Sequence, residues 1–266
     1  MDHDPLTERS VLTAAAGTMF AAAVYYHERL ASTMDLAAAL AERGAPEGTL
    51  ALAEEQTAGR GRLGRTWHSE RGAGLYLSVV LRPGLAATLA PVLTLAAGLG
   101  VADAVTAVTG LAADLRWPND VLLGGRKCCG ILPEMASDGS RIRYVVLGIG
   151  LNVNGLAFPA DLGAEATSLA IAAGRPFARA EVLRRLLHAL DARYRQLLLA
   201  GPAGAIADFQ ERSTFALDRR IRVEGEQETY TGITQGLDPS GFLLVRREDT
   251  GMIEPVLAGK VRPVEE

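Results

Sequence analysis

Apolar residues recur along this chain at two spacings, and each spacing predicts an element. From Ser32 to Arg43 the run STMDLAAALAER gathers Leu36, Leu40 and the alanines on one helical face, with Ser32 or Thr33 as N-cap and Gly44 as the stop. Thr49 to Glu54 and Leu75 to Arg82 read as strands, the second ended by Pro83-Gly84. Residues 86 to 109, rich in Ala, Leu and Val, predict a long buried helix. Asp114 to Trp117 predicts a short strand that breaks at Pro118. Gly124-Gly125 joins Val121–Leu123 to Lys127–Glu134 as a hairpin. A second hairpin turns at Ser137-Asp138-Gly139-Ser140 into a strand over Ile142–Gly150. An amphipathic helix follows over 179–199, its polar face carrying Arg179, Arg184, Arg185, Arg193 and Arg195. After about Thr214 the pattern changes to short alternating segments (RIRVEG, ETYTGITQGL, FLLVRR, EPVLAGKVRPV), which predict a small antiparallel barrel.

The apolar stretch Val11–Tyr26 has the look of a leader, but Asp2, Asp4 and Glu8 outnumber Arg9 ahead of it. It is also shorter than the ~18 residues of a membrane span. A buried helix leading into a strand is the expectation. The 266 residues, 48% hydrophobic, suffice for one large domain with a small appendage. A net charge of −4 argues against a general nucleic-acid binder, so a basic cluster at residues 59–65 points to a small anionic ligand. The only cysteines, Cys128 and Cys129, are adjacent. They form neither a disulfide framework nor a zinc spacing, as suits a reducing cytoplasm.

Five segments could carry chemistry. In EEQTAGRGRLGRTWHS, residues 54–69, Arg60, Arg62 and Arg65 alternate with Gly59, Gly61 and Gly64. Glycines let backbone N–H groups approach an anion, and guanidinium forks match carboxylate or phosphate; a solvated basic loop is the plainer alternative. Among two lysines, Lys127 sits in GGRKCCGIL, where a compact ammonium could reach one phosphate or carboxylate oxygen or simply flank a turn. RWPND projects Asn119 and Asp120 from a strand end, where a carboxylate could hold Mg²⁺ or accept a proton, or merely close a turn. GIGLNVN, with Gly148, Gly150 and Asn152, suggests close backbone approach to a ligand and an amide that could read a base edge. STM at residues 32–34 caps a helix whose N-terminus offers donors to a polar ligand.

Taken together, STM, EQTAGRGRLGRTWHS, GLYLSVVLRP, RWPNDVLL, RKCCGILPE, GIGLNVN and ATSL (166–169), in this order, resemble the biotin–protein ligases, or biotin–[acetyl-CoA-carboxylase] ligases. The match is close over residues 25–170 and loose beyond. The resemblance implies an α/β (α+β) fold: a class II synthetase-like catalytic domain with a mixed sheet, residues 1–213, and an SH3-like C-terminal domain, residues 214–266. It implies that biotin carboxylate attacks the α-phosphate of ATP to give biotinyl-5′-AMP, and that a lysine of a biotin carboxyl carrier domain then takes the biotin. It puts Ser32, Thr33, Met34, Gln56, Arg60, Gly61, Arg62 and Lys127 at biotin, and Arg65, Trp67, Asn119 and Asn152 at the nucleotide. Lys127, Arg60, Arg62 and Asp120 would be catalytic, with Asp120 also the candidate Mg²⁺ ligand.

The chain departs from the family pattern at Cys128-Cys129, where Leu-Ala is usual, at Glu70, and at Pro133, which suggests an edge or bulge. Only thirty-one residues precede Ser32, fewer than a DNA-binding helix-turn-helix needs, so a monofunctional ligase without DNA or membrane partners is expected. A lipoate- or octanoate-type protein ligase and a non-catalytic biotin sensor are the alternatives. Oligomeric state stays open, a homodimer being one arrangement.

Overall fold

The structure is a computed structural model describing residues 6–160, 162–163, 165–225, 228–257 and 259–264; Asp2, Asp4 and Ala258, used above, lie outside them. Thr7 and Ser10 form a capping box that starts helix α1 (Glu8–Ala15), and strand β1 (Ala23–His27) follows. Ser32 caps helix α2 (Thr33–Glu42) by accepting from the Met34 N–H at 3.2 Å. Strands β2 (Thr49–Ala53) and β3 (Gly74–Leu81) are buried at every position, as continuous apolar runs between covered faces should be. Helix α3 (Ala90–Thr109) ends at Gly110 in the left-handed conformation.

Strands β4 (Asp114–Arg116), β5 (Asp120–Leu123), β6 (Arg126–Asp138) and β7 (Arg141–Asn152) complete a seven-stranded sheet of order β1-β2-β3-β7-β6-β5-β4. Only β1 and β2 run parallel, so the sheet is mixed. Gly124 and Gly125, at φ 57° and 76°, make the predicted hairpin turn, a conformation only glycine adopts freely at both positions. β5 pairs with β6 only as far as Gly130, so Pro133 does fall where β6 has become an edge.

Period-two alternation sorts the sheet's two faces. Leu50, Leu52, Val79, Leu147 and Ile149 face the main core with α1, α3 and the helix α5 (Arg179–Ala200). Ala51, Val80 and Val146 face α2, where Met34, Ala37 and Ala41 cover them. The segment Ala87–Thr109 is long and apolar enough to cross a membrane, but 72% of that window is buried as the core helix. Gly100 allows the close approach of α5, since a Cβ there would lie 3.2 Å from Leu190.

Three features differ from expectation. Arg179 is not on a polar face: it is 2% exposed, because its guanidinium pairs with buried Glu54 at 3.0 Å. The short helix α4 (Leu169–Ala173) and helix α6 (Pro202–Arg212) lay unread, the latter opened by Gly201-Pro202. The C-terminal strands β8 (Leu217–Glu224), β9 (Thr229–Leu237), β10 (Leu243–Arg247), β11 (Ile253–Val256) and β12 (Lys260–Pro263) form one antiparallel sheet, β11-β10-β9-β8-β12. It does not stand apart. Ile221, Val223, Leu243 and Val245 join the main core, and the Trp117 indole N–H donates to the Gly241 carbonyl at 2.9 Å.

Candidate active site

The Gly/Arg stretch folds back on itself over the α2 face of the sheet. Trp67 N–H donates to Gly59 O at 2.9 Å and Gly61 N–H to Arg65 O at 2.7 Å, while Leu63 (φ 56°) and Gly64 (φ 70°) turn the tip. A Cβ on Gly59 would meet Trp67 O at 2.6 Å, so this crossing requires glycine.

Beneath the loop lies a cleft open to solvent. Its floor is largely bare sheet: Leu77 of β3, Gly148–Gly150 of β7 and Gly130–Leu132 of β6. The glycines of GIGLNVN also make room for side chains. A Cβ on Gly150 would lie 2.3 Å from the Trp67 ring, and one on Gly148 would lie 2.5 Å from Met34 Sδ. Trp67 therefore lies flat on the sheet, and its Nε1–H is buried without a hydrogen-bond acceptor.

One corner is polar. Thr33 donates from its N–H to Gln56 Oε1 at 2.9 Å, and its hydroxyl lies 2.8 Å from Ser78 Oγ; Gln56 Nε2 in turn donates to Ser69 Oγ at 2.9 Å. The opposite side is cationic. Lys127 Nζ sits 2.5 Å from Asp120 Oδ1 and 5.4 Å from the Trp67 ring centre. Arg62 donates to Asn119 Oδ1 at 3.4 Å, and burial lowers its pKa despite the opposing pull of Asp120. Asn119 is itself pinned by Nδ2 to Ile131 O at 2.8 Å.

Of the sequence candidates, Thr33, Met34, Gln56, Arg60, Gly61, Arg62, Trp67, Asn119 and Lys127 line this one cavity. Ser32 does not; it is buried as the α2 cap. Arg65 is exposed and off the wall. Asn152 is also off the wall, donating from Nδ2 to Thr167 O at 3.0 Å. Mutual repulsion among the arginines is relieved from elsewhere in the chain: Arg60 pairs with Asp35 and, at 2.9 Å, with Glu134. Burial lowers its pKa, but these partners win and raise it.

Asp120, the candidate metal ligand, adjoins the cavity-lining Asn119 and Lys127. Its two oxygens face Lys127 and Arg116, the latter at 2.8 Å, and among the described residues no group of three His, Cys, Asp or Glu could hold a metal. Mg²⁺ needs no all-protein cage, since one carboxylate together with substrate phosphates and water can hold it. Sequence reasoning quoted Arg116 without giving it a role and missed Ser78, Asp35 and Glu134; the first is four residues from Asp120, the others distant in sequence.

The chain is a protein ligase of the biotin/lipoate class: residues 26–152 match the Biotin/lipoate A/B protein ligase family. Residues 216–261 match the biotin protein ligase C-terminal domain. The chain is 39% identical over 226 residues to the bifunctional ligase/repressor BirA of Bacillus subtilis, covering 84% of this chain and 69% of that one. It is 40% identical over 219 residues to the biotin–[acetyl-CoA-carboxylase] ligase of Mycobacterium tuberculosis, covering 79% and 77%. A biotin protein ligase from Aquifex aeolicus, solved with biotin and ATP, superposes with a TM-score of 0.78 at 30% identity, covering 91% of this chain and 99% of that one. The chain belongs to the biotin protein ligase family, and its activity is biotin ligation.

Proposed function

We propose that the chain condenses biotin with ATP to biotinyl-5′-AMP and pyrophosphate, then passes biotin to a lysine of a carrier domain, with AMP leaving. The carrying observation is the polarity sequence across the cavity. Biotin has a polar ring head, an aliphatic chain and a terminal carboxylate. The cavity offers the Thr33–Gln56 corner, then Met34 and Leu132, then Arg62 and Lys127. Ser78 on β3 lies level, through Gly148, with Leu132 on β6, and Lys127 is five residues further along β6, which suits head and carboxylate at opposite ends.

Carboxylate and triphosphate repel each other, and Arg62 and Lys127 would offset both that repulsion and the charge that develops on the α-phosphate. Trp67 would pack against the adenine and give its Nε1–H an acceptor. In the second step the acceptor amine attacks the anhydride carbonyl and the adenylate phosphate leaves, again toward these cations. Arg60, tied to two carboxylates, serves to hold the loop over the slot. Mg²⁺ would arrive with the triphosphate, bound by phosphate oxygens and water.

The acceptor is a biotin carboxyl carrier domain of a biotin-dependent carboxylase. The net charge of −4 supports the absence of DNA as a partner, and two buried free thiols support a cytoplasmic enzyme. Residues 1–213 form the catalytic domain and 214–266 the C-terminal unit in this proposal; monomer or homodimer is decided by sedimentation. Labelled biotin should enter a carrier domain with the native chain and fall by at least about 100-fold with Lys127→Ala or Arg62→Ala. Exchange of pyrophosphate into ATP driven by lipoate and not by biotin would reverse the substrate.

A further inference from the structure

Strand pairing places a row of residues side by side across four strands. Arg116 of β4 faces Asp120 of β5, Asp120 faces Gly130 of β6, and Gly130 faces Gly150 of β7. Paired residues point to the same side of a sheet. Lys127 joins this face because of an irregularity: Val121 pairs with Cys129 but the next residue, Leu122, pairs with Lys127, so Cys128 is the extra residue of a bulge. The Lys127 side chain then runs back along the strand over Gly130, where a Cβ would lie 3.1 Å from both its Cε and Nζ. It ends at Asp120 Oδ1.

Asp120 is held from its other side. Arg116 reaches Oδ2 with NH2 at 2.8 Å and with Nε at 3.3 Å. The Asp120 carboxylate is 14% exposed and the Arg116 side chain 20%, so the link is well shielded from water. The main chain of Lys127 is fixed independently, since its N–H donates to Glu165 O at 2.8 Å and its O accepts from the Thr167 N–H at 2.9 Å. What remains to be set is the direction of a four-carbon stem.

We propose that Arg116 is a positioning residue for Lys127, acting through Asp120: it locks the carboxylate that aims the ammonium across Gly130 into the slot. Its importance to catalysis rests on the function proposed above. Its effect on Lys127 does not.

The chain has only two lysines, so Lys260 is a built-in reference. The ligand-free protein is acetylated with a water-soluble succinimidyl ester, and modification at Lys127 relative to Lys260 is followed by peptide mass spectrometry. Arg116→Gln should raise that ratio about 5-fold or more as Nζ leaves Asp120, and Arg116→Lys should restore part of the protection. Asp120→Asn should raise it equally, and the double variant should add nothing further, because both cut one linkage. In pyrophosphate exchange, Arg116→Gln should lower kcat about 10-fold with KM for biotin changed less than about 2-fold. An unchanged ratio in Arg116→Gln, or additive effects in the double variant, would overturn the proposal; should Arg116→Gln not fold, an unchanged ratio in Asp120→Asn does the same. Loss of biotin-dependent exchange in the native chain would instead defeat the functional reading and leave the labelling pattern standing.

Discussion

Gly150→Ala tests whether Trp67 is held by the sheet beneath it. The added Cβ would sit 2.3 Å from Trp67 Cε2 and 2.4 Å from Nε1, against an ordinary contact of 3.4 Å or more. The ring is rigid and must rise by about 1 Å, or leave. Overpacking of this kind costs about 1–3 kcal/mol, and a misplacement near 1 Å in a reacting site can cost about 100-fold in rate. Because Trp67 belongs to a loop that can lift, the penalty should appear in the site rather than in global stability. The expected result is a 10- to 100-fold fall in biotin-dependent pyrophosphate exchange, on the order of 1.4–2.8 kcal/mol. Indole emission should shift to the red, since Trp117, the other tryptophan, is 5% exposed and locked to Gly241. Gly148→Ala is the internal control: it meets Met34 Sδ at 2.5 Å, but a thioether can swing aside, so a loss of only about 3-fold is expected. Exchange within 2-fold of native in Gly150→Ala, with emission unmoved, would refute the placement of Trp67.

Arg179→Met should cost about 3–5 kcal/mol in urea unfolding, because it strands the Glu54 carboxylate, 3% exposed, that also accepts from the Leu6 N–H. Burial pushes the Cys128 thiol from 9.0 up to about 12 and Cys129 well above its usual value, so iodoacetamide at pH 8 should label neither until denaturant is added. For Cys128 the unfolded chain loses its proton first; stability from this group is complete below pH 9.0 and declines as pH rises toward about 12, by at most ~1.4 kcal/mol per unit, a slope that Cys128→Ala should flatten. Trp117→Phe removes the bond to Gly241 and should cost about 0.5–1.5 kcal/mol while speeding proteolysis near Thr214.

Which parts of this molecule were legible in its sequence follows from how far apart the interacting residues lie. The α2 cap, the Gly124-Gly125 turn and the edge at Pro133 each depend on a few neighbouring residues, and each falls where the pattern put it. Arg60, Gly61, Arg62 and Trp67 of the loop come together with Lys127 and Asn119 in one cavity. Pairings across the chain were not readable. Arg179 looked like one more surface arginine because Glu54 lies 125 positions away, and only the closed fold supplies the partner that permits its burial. The contact between Asp120 and Lys127 was equally hidden, because it depends on a bulge invisible in the letters RKCC.

Gly148 and Gly150 show the same limit from the other direction. Sequence identifies positions that tolerate no side chain, but it does not identify what occupies the space. Met34 and Trp67 fill it here, one from a helix cap and one from the loop. The glycines let two large side chains settle onto the sheet and become walls of the slot. The basic loop is seated because bare sheet lets Trp67 settle, while Arg60, tied to Asp35 and Glu134, clasps it and Arg62 and Lys127 line the cavity beneath.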